Sequence, residues 1–261
     1  MTANSQTATR PPSIDVLPDA LALARAASER FVVAAERAIA DHERFVVALA
    51  GGSTPRRMYE LLATDPFASQ VSWSRVHVLW GDERCVPPTD PESNYRMARE
   101  ALLDHVPLPA ENVHRMYGEH DPARAAISYE AMLRELLRTP SGPPQSDPAR
   151  SIDLALLGLG DNGHTASIFP ESAAVDERER WVMADYVPEV SMWRITLTAP
   201  VLNAAAEVLF LVSGAAKASV VKRVLEGPRQ PRELPAQVIA PPRGMRWMLD
   251  RAAAAELGET S

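Results

Sequence analysis

Apolar residues along this chain follow two different spacings. Runs of five or six almost wholly apolar residues, bounded by glycine, proline or small polar residues, recur at 45–50, 76–80, 152–157 and 207–212. Strands buried on both faces of a parallel sheet read this way. Helical spacing lies between them. Residues 17–41 carry Leu21, Leu23, Ala27, Phe31, Val32 and Ala35, and the stretch after Pro55 carries Met58, Leu61 and Leu62. Pro55 suits a first helical position with Thr54 as N-cap. Ser93 caps a helix to about 104, Asp121-Pro122 opens one to about 138, Pro200 opens a short one, and another covers 215–225. Shorter apolar stretches at 113–116, 181–184, 193–198, 237–239 and 245–249 read as further strands, with Asp250 capping a last helix. Strand–helix alternation throughout predicts an α/β fold with a doubly wound, mostly parallel sheet.

The same pattern sets the domain organisation. Residues 1–12 are polar and are expected to form a disordered tail. The proline-rich stretch 139–150 reads as a surface loop and not a linker, because the alternation is the same on both sides. One α/β domain over 13–261 is therefore expected. A formal charge of −7 argues against nucleic acid as a partner, although a few local cations can still hold a small anion. Cys85 is the only cysteine, so no internal disulfide forms and a reducing compartment fits. With neither a signal-peptide pattern nor a run long enough to span a membrane, a soluble cytoplasmic protein is expected.

Candidate chemistry collects at the ends of the predicted strands. After 152–157 come Gly158, Gly160 and Gly163, then His164, with Thr165 and Ser167 beside it. Glycines let the backbone turn tightly beyond a strand, where ligands bind in open α/β sheets. A histidine delivered there reads as a general base, and the plain alternative is a histidine that only bonds within its loop. Gly158, Gly160 and Gly163 also match the spacing of a dinucleotide fingerprint, but Pro170 stops any following helix, so no dinucleotide is expected. Gly51-Gly52-Ser53-Thr54 ends another strand at a helix start, which suits a phosphate or is simply a capped turn. At the end of 76–80, Arg84 could hold a substrate anion and Asp82 a sugar hydroxyl; solvent-facing charges are the alternative. Lys217 stands in a predicted first helical turn, against the dipole, which favours an anion nearby over a solvated lysine. Arg194 enters a strand of alternating residues. Cys85 has no cationic partner to activate it, and the histidines other than His164 are scattered, so neither a thiol nucleophile nor a metal site is expected.

Taken in order, these motifs resemble the 6-phosphogluconolactonases: Ala50 to Pro55, Trp80 to Arg84 with Ser93-Asn94-Tyr95, Gly158 to Pro170, Arg194 to Thr198, Ser213 to Lys217, and Leu234 to Ile239 with Trp247 and Asp250. The resemblance covers nearly the whole chain after the tail. It implies a modified Rossmann-like sheet and hydrolysis of 6-phospho-D-glucono-1,5-lactone, the second step of the oxidative pentose phosphate pathway, without metal or cofactor. By the same resemblance Gly51, Gly52, Ser53, Thr54, Arg194 and Lys217 hold the phosphate, and His164 activates water. Asp82 and Arg84 line the sugar edge, and Gly160 belongs to a turn whose backbone N–H groups are candidate oxyanion donors. The related glucosamine-6-phosphate deaminases supply a glutamate soon after their histidine, whereas this chain continues Thr165-Ala-Ser-Ile-Phe-Pro170. A sugar-phosphate isomerase or deaminase, or a non-catalytic sugar-phosphate sensor, are the alternatives to a lactonase. Asn162 stands where the family usually has Asp; an amide can orient the imidazole but brings no charge. The expected partner is a small sugar phosphate, and the expected state is a monomer, with a dimer as the alternative.

Overall fold

The computed structural model describes residues 11–138 and 151–258. Most of the expected tail and the loop at 139–150 lie outside the described residues. Six strands, all in parallel pairs, form the main sheet: β1 (Ser13–Leu17), β2 (Phe45–Leu49), β3 (Val76–Trp80), β5 (Leu154–Leu157), β8 (Glu207–Val212) and β9 (Met245–Asp250), in the order β1-β9-β8-β5-β2-β3. A small antiparallel sheet, β4-β7-β6, is built from β4 (Asp82–Arg84), β6 (Val182–Val187) and β7 (Met192–Leu197). The helices are α1 (Ala20–His42), α2 (Ser53–Leu62), α3 (Phe67–Gln70), α4 (Asn94–Ala101), α5 (Pro122–Leu136), α6 (Ala173–Asp176), α7 (Ala199–Asn203) and α8 (Ala218–Leu225).

Alternation along the strands sorts the core into two layers. Phe45, Val47 and Leu49 of β2 pack with Leu154 and Leu156 against α1, α2 and α4. Their neighbours Val46, Ala48, Ala155 and Leu157 face the other way, into a layer made by α5, α7, α8 and the small sheet. Both faces of these strands are covered, which is why their sequences carry no polar alternation. The chain passes from β2 outward to β3 and then crosses to β5 on the far side of β2, so the winding direction reverses between β2 and β5. Ligands in such sheets bind beyond the strands' carboxyl ends at this reversal.

Several sequence expectations change. The first helix begins at Ala20 and is capped by Asp19; Leu17 instead closes β1, an edge strand paired with β9. The N-cap of α2 is Gly52, at φ 101°, with Ser53 and Thr54 already inside the helix, so Thr54 does not cap it. Residues 113–116 contribute one bridge, Val113 to Val78, and not a strand. The stretch read as a strand at 237–239 is largely a 3-10 turn, Pro235–Val238, because Pro235 opens a turn and leaves no extended edge to pair. After Asp250 the chain makes successive turns where a helix was expected, although Asp250 does accept from the Ala253 amide. Among the described residues no helix is long and apolar enough to cross a membrane.

Candidate active site

Beyond the carboxyl ends of β2, β3 and β5 lies a cavity of about 530 Å³. It gathers Gly51, Gly52, Asp82, Arg84, Gly160, Asn162, His164, Arg194 and Lys217 into one wall. Every expected site residue except Ser53 and Thr54 lines it; those two occupy the first turn of α2, just beyond Gly52. A second cavity of about 470 Å³ opens at the strands' amino ends, where Arg30 pairs with Glu207, Arg246 with Asp15 and His42 with Asp153. Its charges largely satisfy one another, whereas in the first the Nε atoms of Arg84 and Arg194 have no hydrogen-bond partner among the described residues.

The glycine loop after β5 is a closed unit. Gly160 N–H donates to the His164 carbonyl, Gly163 N–H to the Gly160 carbonyl, and the Thr165 hydroxyl to the Gly158 carbonyl. These bonds fold His164 back over Gly160, where a Cβ would sit 2.1 Å from the imidazole, so only glycine fits. They also use the Gly160 and Gly163 amides, so neither is free as an oxyanion donor. After Gly163 the chain runs through a bridge and turns as far as α6 at Ala173–Asp176.

His164 is held in one orientation. Its ring stacks on Phe169 with centroids 4.0 Å apart. Asn162 Oδ1 accepts the His164 backbone N–H at 3.1 Å and lies 2.6 Å from Nδ1. An amide oxygen only accepts, so Nδ1 carries the proton and the neutral ring's lone pair is on Nε2. Burial pushes the His164 pKa down to about 4; Asp82 opposes this, while Lys217 and Arg194 reinforce it. The ring is therefore neutral at physiological pH.

Two strands of the small sheet supply the arginines. Arg84 and Arg194 are direct cross-strand partners, an arrangement that like charges disfavour unless an anion joins them. Arg194 is 8% exposed, and among the described residues its Nε has no hydrogen-bond partner. Burial, and then Arg84, lower its pKa. Lys217 closes a 3-10 turn, Ala215–Lys217, directly ahead of α8 rather than standing inside the helix. Its ammonium contacts Asp161 Oδ1 at 2.5 Å, so Asp161 is committed to Lys217 and not to the imidazole.

Sequence reasoning named Ser167 and Asn94 within motifs but gave no bracing role to the residues behind this wall. Asp82 accepts from the Ser167 hydroxyl at 2.6 Å and from Asn94 Nδ2 at 3.2 Å. The Asn94 side chain occupies the space that a Cβ on Gly51 would need, 2.0 Å away. Glu83, to which sequence reasoning assigned no role, is 2% exposed and accepts from the Asn94 and Tyr95 amides and the Ser93 hydroxyl, fixing the start of α4. Cys85 is half-buried with its thiol pushed up to about 11, chiefly by burial, so it is a poor nucleophile. Among the described residues no three of His, Cys, Asp or Glu converge as metal ligands.

The chain matches the glucosamine-6-phosphate isomerases/6-phosphogluconolactonase family over residues 18–248. It is 39% identical to a 6-phosphogluconolactonase of Nostoc sp. over 249 residues, covering 94% of this chain and 98% of that one. A 6-phosphogluconolactonase of Mycobacterium tuberculosis is likewise 39% identical over 246 residues, with the same coverage of 94% and 98%. In structure it is similar to the 6-phosphogluconolactonase of Trypanosoma cruzi, with a TM-score of 0.82, 28% identity, and coverage of 96% of this chain and 99% of that one. A match over nearly all of the chain, together with relatives of this identity and coverage, shows that the protein belongs to the glucosamine-6-phosphate isomerase/6-phosphogluconolactonase family.

Proposed function

We propose that this chain hydrolyses 6-phospho-D-glucono-1,5-lactone to 6-phosphogluconate, with His164 as general base. The observation that carries this reading is the Asn162–His164 contact, which leaves Nε2 of a neutral imidazole unprotonated inside a cation-lined cavity. The phosphate would bind Arg194 and Lys217 near the Gly51–Gly52 turn and the first amides of α2, with Arg84 beside them and Asp82 at the sugar edge. Water attacks C1 as Nε2 takes its proton. The tetrahedral intermediate then collapses with cleavage of the bond from C1 to the ring oxygen, and the imidazolium returns the proton to that oxygen. A deaminase needs a carboxylate soon after the histidine for ring opening. Here Thr165 and Ser167 bond to Gly158 and Asp82, and the first carboxylate, Glu171, pairs with Arg232, which favours the lactonase. We further propose that the protein acts in the cytoplasm and without metal on a free sugar phosphate, as a monomer or, alternatively, a dimer.

A coupled assay with freshly generated lactone, corrected for spontaneous opening, tests it. Acceleration by the parent and a loss of roughly 10²-fold or more in kcat for His164→Ala are expected. Deamination of glucosamine 6-phosphate without lactone opening would overturn the assignment.

A further inference from the structure

The hairpin joining β6 to β7 reaches over the cavity. Its tip is a 3-10 turn, Pro188–Val190, ending at Ser191 with φ 47°, and it brings Glu189 and Val190 to the cavity wall. There Glu189 Oε2 accepts from Asn162 Nδ2 at 2.7 Å. We propose that Glu189 is a positioning residue for His164, acting through the Asn162 amide; this rests on the reading of His164 as the base.

The argument follows from which groups can donate. A carboxylate can only accept, so Glu189 requires the NH₂ end of Asn162 to face it. The carbonyl end must then face His164, where it meets both the backbone N–H and Nδ1. The amide orientation is thus fixed from both sides, and with it the tautomer that bares Nε2. A reversed amide would point NH₂ at Nδ1 and favour a proton on Nε2, which cannot then act as base. Glu189 is exposed, so solvent and salt screen its charge. Glu189 therefore works by orientation rather than by its charge.

Four variants measured beside the parent separate the possibilities, with His164→Ala as the control. Glu189→Ala should lower kcat about 10-fold with little change in KM, as loss of an outer partner of a functional histidine does. Glu189→Gln should keep most activity, because its amide oxygen still accepts from Asn162. Asn162→Asp alone sets one carboxylate against another and should be impaired. Combining it with Glu189→Gln should restore activity, since the introduced amide can then donate to the introduced carboxylate, which still accepts from Nδ1. Imidazole ¹⁵N shifts should report a proton on Nδ1 in the parent and a mixed tautomer in Glu189→Ala, independently of turnover. Glu189→Ala within about twofold of the parent in kcat with unchanged ¹⁵N shifts, or a double variant no better than Asn162→Asp, would overturn the proposal. If His164→Ala is inactive while these results are flat, only the positioning role fails; if His164→Ala turns over normally, the base assignment fails and this role with it.

Discussion

The pKa of His164 and the cations around it make separate predictions. A base must be neutral to act, so activity is lost as pH falls through the folded-state pKa, here about 4 rather than the 6.5 of an exposed imidazole. kcat/KM, which reports the free enzyme, should therefore stay at pH 5.5 within about twofold of its value at pH 7, where an unperturbed histidine would lose most of its activity between the two; a limb centred near 6.5 would show that burial does not govern the ring. The same shift costs stability as pH drops from the unfolded value toward 4, because the unfolded chain binds the proton more readily. If Lys217 and Arg194 hold the phosphate as proposed, 6-phosphogluconate would offset two of the groups that depress the ring, and its NMR titration should move upward in the complex. Arg194→Ala, Arg84→Ala and Lys217→Ala should chiefly raise KM for the phosphorylated lactone and lose less on an unphosphorylated one. Equal losses on both would remove that residue from the phosphate site. Most of these residues were legible because glycine turns are local signals: Gly51, Gly160 and His164 stand within a few positions of the strands that aim them. Glu189 was not, because its contact spans 27 residues and depends on where a hairpin tip lands.

At the scale of elements, what the sequence hid was what tertiary pairing decides. Asp82, Glu83 and Arg84 are three charged residues with little strand propensity, yet they form β4 because β7 lies alongside and Glu83 has buried donors to satisfy. β1 alternates weakly and is partly exposed, and its partner β9 lies near the other end of the chain, so Leu17 read as part of the helix instead. The long buried strands were legible because burial on both faces leaves a continuous apolar run. One tie at their amino ends lies outside that pattern. Asp153, just before β5, accepts the Val46 amide of β2 at 2.7 Å and meets His42 Nε2 at 2.9 Å, fastening α1, β2 and β5 together. Asp153→Ala leaves the buried Val46 amide without its carboxylate and turns His42 Nε2 to the cavity, and should cost about 1–3 kcal/mol. Urea unfolding should show a lower midpoint at unchanged slope, and kcat should hold, since the site is at the opposite ends of these strands. A loss below about 0.5 kcal/mol would mean that water replaces the carboxylate.

The whole molecule is acidic, at −7, yet Arg84, Arg194 and Lys217 meet at one sheet edge. They come from β4, β7 and the turn before α8, while the glycine turns come from β2 and β5, on either side of the reversal in winding. A sugar phosphate in this cavity would therefore touch segments that meet only in the native fold, and its binding should appear as global stability. A ligand that binds only the folded state adds about 2.7 kcal/mol at a hundred times its dissociation constant. For a chain of this size each kcal/mol raises Tm by roughly 2–4 °C, so 6-phosphogluconate should raise it by about 5–10 °C. Gluconate at the same concentration lacks the dianion that the three cations attract and should give a small fraction of that shift. Lys217→Ala should lose most of the response at fixed ligand concentration while its own Tm without ligand stays near the parent's, because this lysine is at the surface and paired with the exposed Asp161. Equal shifts from gluconate and its phosphate would place the recognition in the sugar contacts at Asp82 and remove the phosphate anchor from this edge.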